Sequence, residues 1–140
     1  MTHIDIALTF AELPTVTAQQ KGVRVVHGKP MFYEKPQVRA ARELFKTKLS
    51  EYAPEHPIEG AVRLTCEWYF YSKSHRPNTW RTTRPDTDNL QKLLKDVMAE
   101  CGFFLDDSQV CWETVRKKWT SAGGSALMIK IDELENPPAF

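Results

Sequence analysis

The sequence predicts an α+β fold in which a mixed sheet of about four to five strands is packed by two main helices. Residues 61–71 alternate strictly between apolar and polar side chains, which is typical of a half-buried strand. Two segments, beginning near Gln37 and Thr87, carry apolar residues three or four positions apart, which indicates amphipathic helices. The length of 140 residues, with 41% hydrophobic and 26% charged, suits one domain covering residues 1–140.

The first third of the chain contains one clear strand and one weaker hairpin. Residues 4–10 alternate and are rich in Ile, Leu and Phe, so they predict the first strand. Residues 23–26 and 32–33 are short apolar runs among glycines and prolines, which favours an irregular hairpin. The helix that follows is predicted from Gln37 to about Tyr52, with a proline just before it and another beyond its end.

The rest of the sheet is predicted from three further segments. The strand over 61–71 is followed by residues 72–85, which lack apolar periodicity and therefore indicate a long basic loop. Residues 110–119 and 126–134 predict two strands joined by a turn over 121–125, which contains a Gly-Gly pair.

The second helix separates a core side from a polar side. At about 100° per residue, Asp88, Lys92 and Asp96 share one stripe. The opposite side gathers the apolar residues Leu90, Leu93, Leu94, Val97, Met98 and Cys101. Thr87 or Asp88 is expected to cap the first turn, and Gly102 stands where a left-handed C-terminal cap is wanted.

The charge distribution is local rather than global. A net charge of +1 argues against a polycation that coats nucleic acid nonspecifically. Basic residues nevertheless crowd the segments on either side of the acidic helix, and we expect them to contact DNA, although a solvated face is the plainer alternative. They are Lys73, Arg76, Arg81, Arg84, Lys117 and Lys118. Trp80 is expected to be tucked against the body of the protein, with stacking on an unpaired base as the alternative.

Cysteine usage predicts a cytoplasmic protein. Cys66, Cys101 and Cys111 are odd in number, lack CxxC spacing and lie in apolar stretches, so they are expected to be small buried residues. No N-terminal leader pattern and no apolar run long enough to cross a membrane is found in the sequence.

The acidic motif predicts a site for a hard divalent cation, Mg²⁺, for which Mn²⁺ could substitute. Asp86 and Asp88 are two residues apart at a helix entrance, where extended backbone directs alternate side chains the same way. Residues 103–105 can fold the chain back, so Asp107 is expected to be the third ligand. The alternative for the Asp106-Asp107 pair is an ordinary turn. Such a cation site beside basic residues points to phosphodiester chemistry.

Lys92 is the candidate for charge stabilisation at the phosphate. It could instead form an i,i+4 ion pair with Asp88 or Asp96, and both accounts can hold at different stages. Asn89, Asp96 and Asp106 are expected to support the metal-binding carboxylates, with helix capping as the alternative for Asn89. The four histidines are scattered, and no nucleophile motif is present, which leaves an activated water as the nucleophile.

One stretch of the sequence is similar to the signature of the RusA family of Holliday junction resolvases, common in bacteria and their phages. The matching residues are Arg84-Pro85-Asp86, Asp88-Asn89-Leu90, Lys92, Asp96, Gly102 and Asp106-Asp107-x-Gln109-Val110. The resemblance implies a RusA-like fold and a Mg²⁺-dependent endodeoxyribonuclease of phage or prophage origin, acting in DNA recombination and repair. It also implies a homodimer that nicks four-way DNA junctions symmetrically, leaving 3′-hydroxyl and 5′-phosphate ends.

The same resemblance assigns roles to individual residues. Asp86, Asp88 and Asp107 fall on the metal-binding and catalytic aspartates of the family, and Lys92 falls on its catalytic lysine. The first third of the chain departs from the best-known members, which puts junction selectivity in question.

Two other functions stay open from the sequence. The acids could simply cap a helix in a non-catalytic DNA-binding or structural protein, or the nuclease could act on other branched DNA such as forks and flaps. Candidate dimer surfaces are the strand over 61–71 and the helix beginning at Gln37.

Overall fold

A computed structural model of the chain describes residues 1–16 and 21–139. Its α-helices are α1 (Pro36–Leu49) and α2 (Thr87–Cys101), and short 3₁₀ turns lie at Ser50–Tyr52 and Asp107–Gln109. Its strands are β1 (His3–Phe10), β2 (Lys21–Val26), β3 (Lys29–Glu34), β4 (Val62–Tyr71), β5 (Val110–Thr120) and β6 (Ser125–Glu133). The α+β class, the mixed sheet and the two main helices are thereby confirmed.

The main sheet has four strands in the order β1-β6-β4-β5. The prediction that β5 and β6 form a hairpin is wrong, because β4 lies between them, parallel to β5 and antiparallel to β6. Strand β5 is reached from β4 through helix α2, and such a crossover brings the chain back parallel to the strand it left. Strand β4 is therefore a central strand, with no free edge for a dimer partner.

Strands β2 and β3 form a separate hairpin that is regular rather than irregular. They pair antiparallel from Lys21↔Glu34 to Val26↔Lys29. The connecting residues His27 and Gly28 have φ values of 50° and 75°, and two consecutive left-handed residues match the twist of a tight hairpin.

The core lies between one face of the main sheet and the two helices. Strand β4 alternates buried and half-buried residues along its whole length, as its period of two predicted. Cys66 is buried on its inner face, and this burial raises the pKa of its thiol to about 12. Cys111 is exposed, which contradicts the prediction, because the pairing register of β4 and β5 shifts there and leaves it without a partner. No helix in the described residues has the length and apolar character needed to cross a membrane.

Candidate active site

The loop before α2 runs along the outer edge of β5. Backbone hydrogen bonds join Asn78 N–H to the Trp119 carbonyl (2.9 Å), Trp119 N–H to the Thr79 carbonyl (2.9 Å) and Arg81 N–H to the Lys117 carbonyl (3.1 Å). The loop thus pairs with the second half of an edge strand and satisfies its backbone groups. This pairing brings the end of the loop, and with it the acidic motif, to the inner side of the sheet.

Aromatic side chains of β4 and β5 also contact the same loop. The Arg81 guanidinium lies 4.3 Å from the ring centroid of Phe70 and 4.6 Å from that of Trp119, and burial lowers its pKa. The ring of His75 stacks on Trp119 with centroids 3.9 Å apart. Arg81, which the sequence suggested for DNA contact, is therefore engaged within the protein.

Lys117 supports the entrance of α2. Its Nζ donates to the carbonyls of Thr83 and Pro85, each at 2.7 Å. Burial and then the neighbouring Arg81 lower the pKa of Lys117, while Asp86 acts in the opposite direction. Lys117 thus serves the loop in this structure, a role that its place in a basic run did not indicate.

The other predicted DNA contacts lie at the surface. Lys73, Arg76 and Arg84 are exposed, and Lys118 Nζ lies 5.0 Å from the ring centroid of Trp80. Trp80 is 63% exposed, so the prediction that it is tucked against the body is wrong. Its backbone pairs with Lys118 on the edge of β5, which turns the indole outwards.

Lys117→Met is expected to destabilise the loop. The substitution leaves the carbonyls of Thr83 and Pro85 without their charged donor, which costs about 1–3 kcal/mol. Urea unfolding should show a lower midpoint, and hydrogen exchange should become faster around residues 78–86. Lys118→Met is the matched control and should change the unfolding free energy by no more than about 0.5 kcal/mol. Equal midpoints for both variants would contradict this role for Lys117.

Helix α2 begins at Thr87, where it was predicted, and its cap residue is Asp86. Asp86 has the extended backbone of a cap residue (φ −71°, ψ 152°), and its carbonyl accepts from Leu90 N–H at 3.1 Å. Its side chain makes no capping hydrogen bond. Thr87, Asp88 and Asn89 therefore lie within the first turn, and the predictions that one of them caps the helix are wrong. Asp86 and Asp88 are exposed carboxylates at the positive end of the helix dipole.

The end of α2 and the following turn return the chain to this helix. Gly102 adopts the left-handed conformation (φ 90°) that was predicted for it. Phe103 and Phe104 are buried, whereas Leu105 is exposed, so two of the three residues expected to fold the chain back do so by packing into the core. Gln109 fixes the turn, because its Nε2 donates to the carbonyls of Ile58 (2.8 Å) and Gly60 (2.9 Å).

Asp106 and Asp107 have different environments. The Asp106 side chain accepts from Ser108 N–H at 3.0 Å, and hydrogen bonds from Ser108 lower the pKa of Asp106. The sequence left an ordinary turn as the alternative for the Asp106-Asp107 pair, and only Asp106 has that role. Asp107 instead lies against α2, with its Oδ2 3.3 Å from Lys92 Nζ.

Lys92 joins two carboxylates on the polar side of α2. Its Nζ lies 3.1 Å from Asp96 Oδ1 as well as 3.3 Å from Asp107 Oδ2. The hydrogen bond to Asp96, and then the one to Asp107, raise the pKa of Lys92, so it stays positively charged at neutral pH. The i,i+4 partner is therefore Asp96 and not Asp88, and Asp107 is brought to the same side of α2 as Lys92.

The carboxylates fit a hard divalent cation by their chemistry, although they are not gathered around one point. Within residues 1–16 and 21–139, no group of three or more His, Cys, Asp or Glu side chains is placed to hold a metal ion. Asp86 and Asp88 offer exposed oxygen donors. The charge of Asp107 is balanced by the Lys92 ammonium, which acts as its counter-ion. A cation that replaced the ammonium at Asp107 would find only oxygen ligands.

Sequence reasoning missed a polar contact beneath this surface. Gln91 is buried, and its amide bridges Trp68 on β4 and Glu113 on β5. At about 100° per residue, Gln91 falls beside the core residue Met98. A polar residue at the margin of the apolar stripe could therefore have indicated a buried hydrogen-bonding side chain.

Comparison with known proteins identifies relatives over most of the chain. Residues 12–132 match the family model described as Endodeoxyribonuclease RusA. The chain is also similar to the crossover junction endodeoxyribonuclease rusA of Lactococcus phage r1t, with 36% identity over 110 residues. That alignment covers 76% of this chain and 81% of the relative.

Proposed function

The chain belongs to the RusA family of endodeoxyribonucleases, and we propose that it resolves four-way (Holliday) DNA junctions by paired symmetric nicks that depend on Mg²⁺. The observation that carries the proposal is the contact between Lys92 and Asp107, which brings two candidate groups from separate segments to one side of α2. A role in phage or prophage recombination and repair, in the cytoplasm, accords with the phage relative.

The divalent metal that the family implies is assigned to Asp86, Asp88 and Asp107. A bound divalent cation would polarise the phosphate and lower the pKa of water at the site. The three carboxylates would hold it, and Asn89, Asp96 and Asp106 would support them from the same helix and turn. Mg²⁺ is favoured because the donors are all oxygens, and Mn²⁺ accepts the same ligands.

Lys92 has two successive roles, one before and one after substrate binds. Before substrate binds, its ammonium offsets the charge of Asp96 and Asp107. Its side chain is half exposed and long, so it can leave these carboxylates at small cost when a phosphate enters. The ammonium then stabilises negative charge that grows on the nonbridging oxygens of the phosphate. Lys73, Arg76 and Arg84 lie free at the surface to hold the DNA backbone beside it.

A side-by-side cleavage assay tests the proposed activity. The protein is incubated with Mg²⁺ and a labelled four-way junction, fork, flap or duplex of matched sequence. Symmetric nicks in the junction alone are expected. Preferential cutting of forks or flaps would show that the enzyme acts on that substrate instead of junctions. If no DNA substrate were cut, the proposal would be overturned.

Mg²⁺ is expected to raise the melting temperature of the protein. A ligand stabilises the state that it binds, so a concentration 100 times the Kd adds about 2.7 kcal/mol to the unfolding free energy. Thermal melts with Mg²⁺ and with EDTA measure the difference, and K⁺ at equal ionic strength is the control. If the melting temperature did not change, the non-catalytic DNA-binding alternative would be favoured, in which the aspartates only stabilise the start of the helix.

We place the homodimer contact on the hairpin formed by β2 and β3. One face of this hairpin carries Val23, Val25, Pro30 and Phe32, all exposed, with Phe32 at 68%. A lone two-stranded hairpin is marginally stable, so its apolar face needs a cover. A second copy suits this face because the four residues at its centre are apolar, and twofold symmetry supplies the two active sites that paired nicks require.

Phe32→Asp is expected to shift the dimer towards monomer. A charge at the centre of an apolar contact costs several kcal/mol, which corresponds to a dimer dissociation constant raised at least about 100-fold. Light scattering during gel filtration measures the mass. Met31→Asp, on the opposite face of the same strand, is the matched control and should remain dimeric. Equal masses for both variants would remove the hairpin from the interface.

A further inference from the structure

The proposed active site is divided between two elements that must be held at a fixed spacing. Helix α2 carries Asp88 and Lys92, whereas Asp107 stands at the entrance to β5. The direct contact between Lys92 and Asp107 joins two partly exposed, flexible side chains, so it is too compliant to define that spacing. Contacts between α2 and β5 that are less exposed can hold this spacing more firmly.

Gln91 is the buried polar residue of α2. It is 2% exposed, and both ends of its amide are used. Its Oε1 accepts from Trp68 Nε1 at 2.7 Å, and its Nε2 donates to Glu113 Oε2 at 2.9 Å. The other carboxylate oxygen of Glu113 accepts from Lys95 Nζ at 3.3 Å. Polar contacts thus run from Trp68 in the core through Gln91 to Glu113, whose side chain is 28% exposed at the margin of the core.

Such contacts restrain a helix in a way that apolar packing does not. Apolar contacts are non-directional and tolerate a small rotation or shift, whereas a buried hydrogen bond weakens steeply when its geometry is lost. Gln91 lies one residue before Lys92 and three after Asp88, so any rotation of α2 that moves Gln91 also moves both groups. Glu113 supplies the fixed point on the strand that begins beside Asp107.

We propose that Glu113 is a positioning residue which, through Gln91, sets the spacing between Asp88 on α2 and Asp107 at the start of β5. The inference rests on the proposed nuclease function and adds two residues to it. Neither residue touches substrate or metal. They affect the reaction only because they set the position of α2, which carries Asp88 and Lys92.

Two substitutions at Glu113 separate positioning from general stability. Glu113→Ala removes the acceptor for Gln91 Nε2, and kcat for junction nicking should fall about 10- to 100-fold, because small misplacements of reacting groups are costly. The Mg²⁺ concentration for half-maximal rate should rise, and metal-free junction binding should stay unchanged. Glu113→Gln keeps an acceptor oxygen, so kcat should stay within about threefold of wild type.

Ser125→Ala is the matched structural control. Ser125 is the other buried polar side chain identified among the described residues, and its Oγ accepts from Tyr71 N–H at 2.9 Å, between β6 and β4. This variant should lose stability while keeping wild-type kcat below its melting temperature. Equal kcat for Glu113→Ala and Glu113→Gln, or an equal fall in Ser125→Ala, overturns the inference and leaves the nuclease function standing.

A failure of the nuclease function would be recognised separately. In that case wild-type protein cuts no branched DNA, and the Mg²⁺-induced rise in melting temperature becomes the measurement. The rise should be smaller for Glu113→Ala than for Glu113→Gln. Equal rises in the two variants, or no rise in wild type, overturn the inference.

Discussion

Asp88→Asn is expected to abolish junction nicking while junction binding survives or becomes tighter. The substitution removes a negative oxygen ligand from the proposed cation site, and losing several kcal/mol of charge stabilisation lowers the rate at least about 10³-fold. It also removes an exposed carboxylate that repels phosphate, which is why binding should not suffer. Nicking of a labelled junction and gel-shift binding without metal measure the two effects.

A neighbouring pair of aspartates provides the control. Asp107→Asn should behave like Asp88→Asn, whereas Asp106→Asn should remain active, because an asparagine oxygen can still accept from Ser108 N–H. The two adjacent substitutions make the same chemical change one residue apart. Cleavage by Asp88→Asn at the wild-type rate, or equal inactivation of the Asp106 and Asp107 variants, would contradict the site.

Lys92→Met is expected to lower kcat about 10²- to 10³-fold with little change in stability. Loss of one well-placed charge at a reacting phosphate has this order of effect. The ion pairs of Lys92 are partly exposed, so their loss costs at most about 1 kcal/mol. Single-turnover nicking and thermal melts measure the rate and the stability.

Asp96→Asn separates the two roles assigned to Lys92. It weakens the resting ion pair but keeps the ammonium, and the asparagine oxygen still accepts from Lys92 and keeps the polar support that Asp96 gives, so nicking should stay within about threefold of wild type. If Lys92→Met and Asp96→Asn lowered kcat equally, the ion pair itself would be the functional feature. Lys92 would then have no separate role at the phosphate.

The sequence was sufficient for features that depend on neighbours along the chain. The alternation in β4, the apolar stripe of α2 and the left-handed Gly102 each follow from spacing within one element. The acidic motif could be found for the same reason, because Asp86, Asp88 and Lys92 lie within two turns. Its family was recognised from those residues, and the match over 12–132 confirms that assignment.

Features that depend on distant contacts were predicted wrongly or missed. The Gly-Gly turn indicated a β5–β6 hairpin, but β4 pairs with both strands and separates them. Trp80 was expected to be buried, yet pairing of its backbone with the edge of β5 turns the indole outwards. Cys111 was expected to be buried, but a register shift between β4 and β5 exposes it, and no local sequence pattern reveals such a shift.

By itself, the sequence determined which helix carries Asp88, Lys92 and Asp96 on one side and which residues to propose as cation ligands, because helical and extended backbone repeat over a few residues. Only the tertiary structure decided which strand lies beside β4, that Asp107 meets Lys92, and that Lys117 and Gln91 fasten the loop and helix to β5. These are pairings between segments far apart in the chain. They are selected by the packing of the whole domain, which the spacing of residues within one segment does not encode.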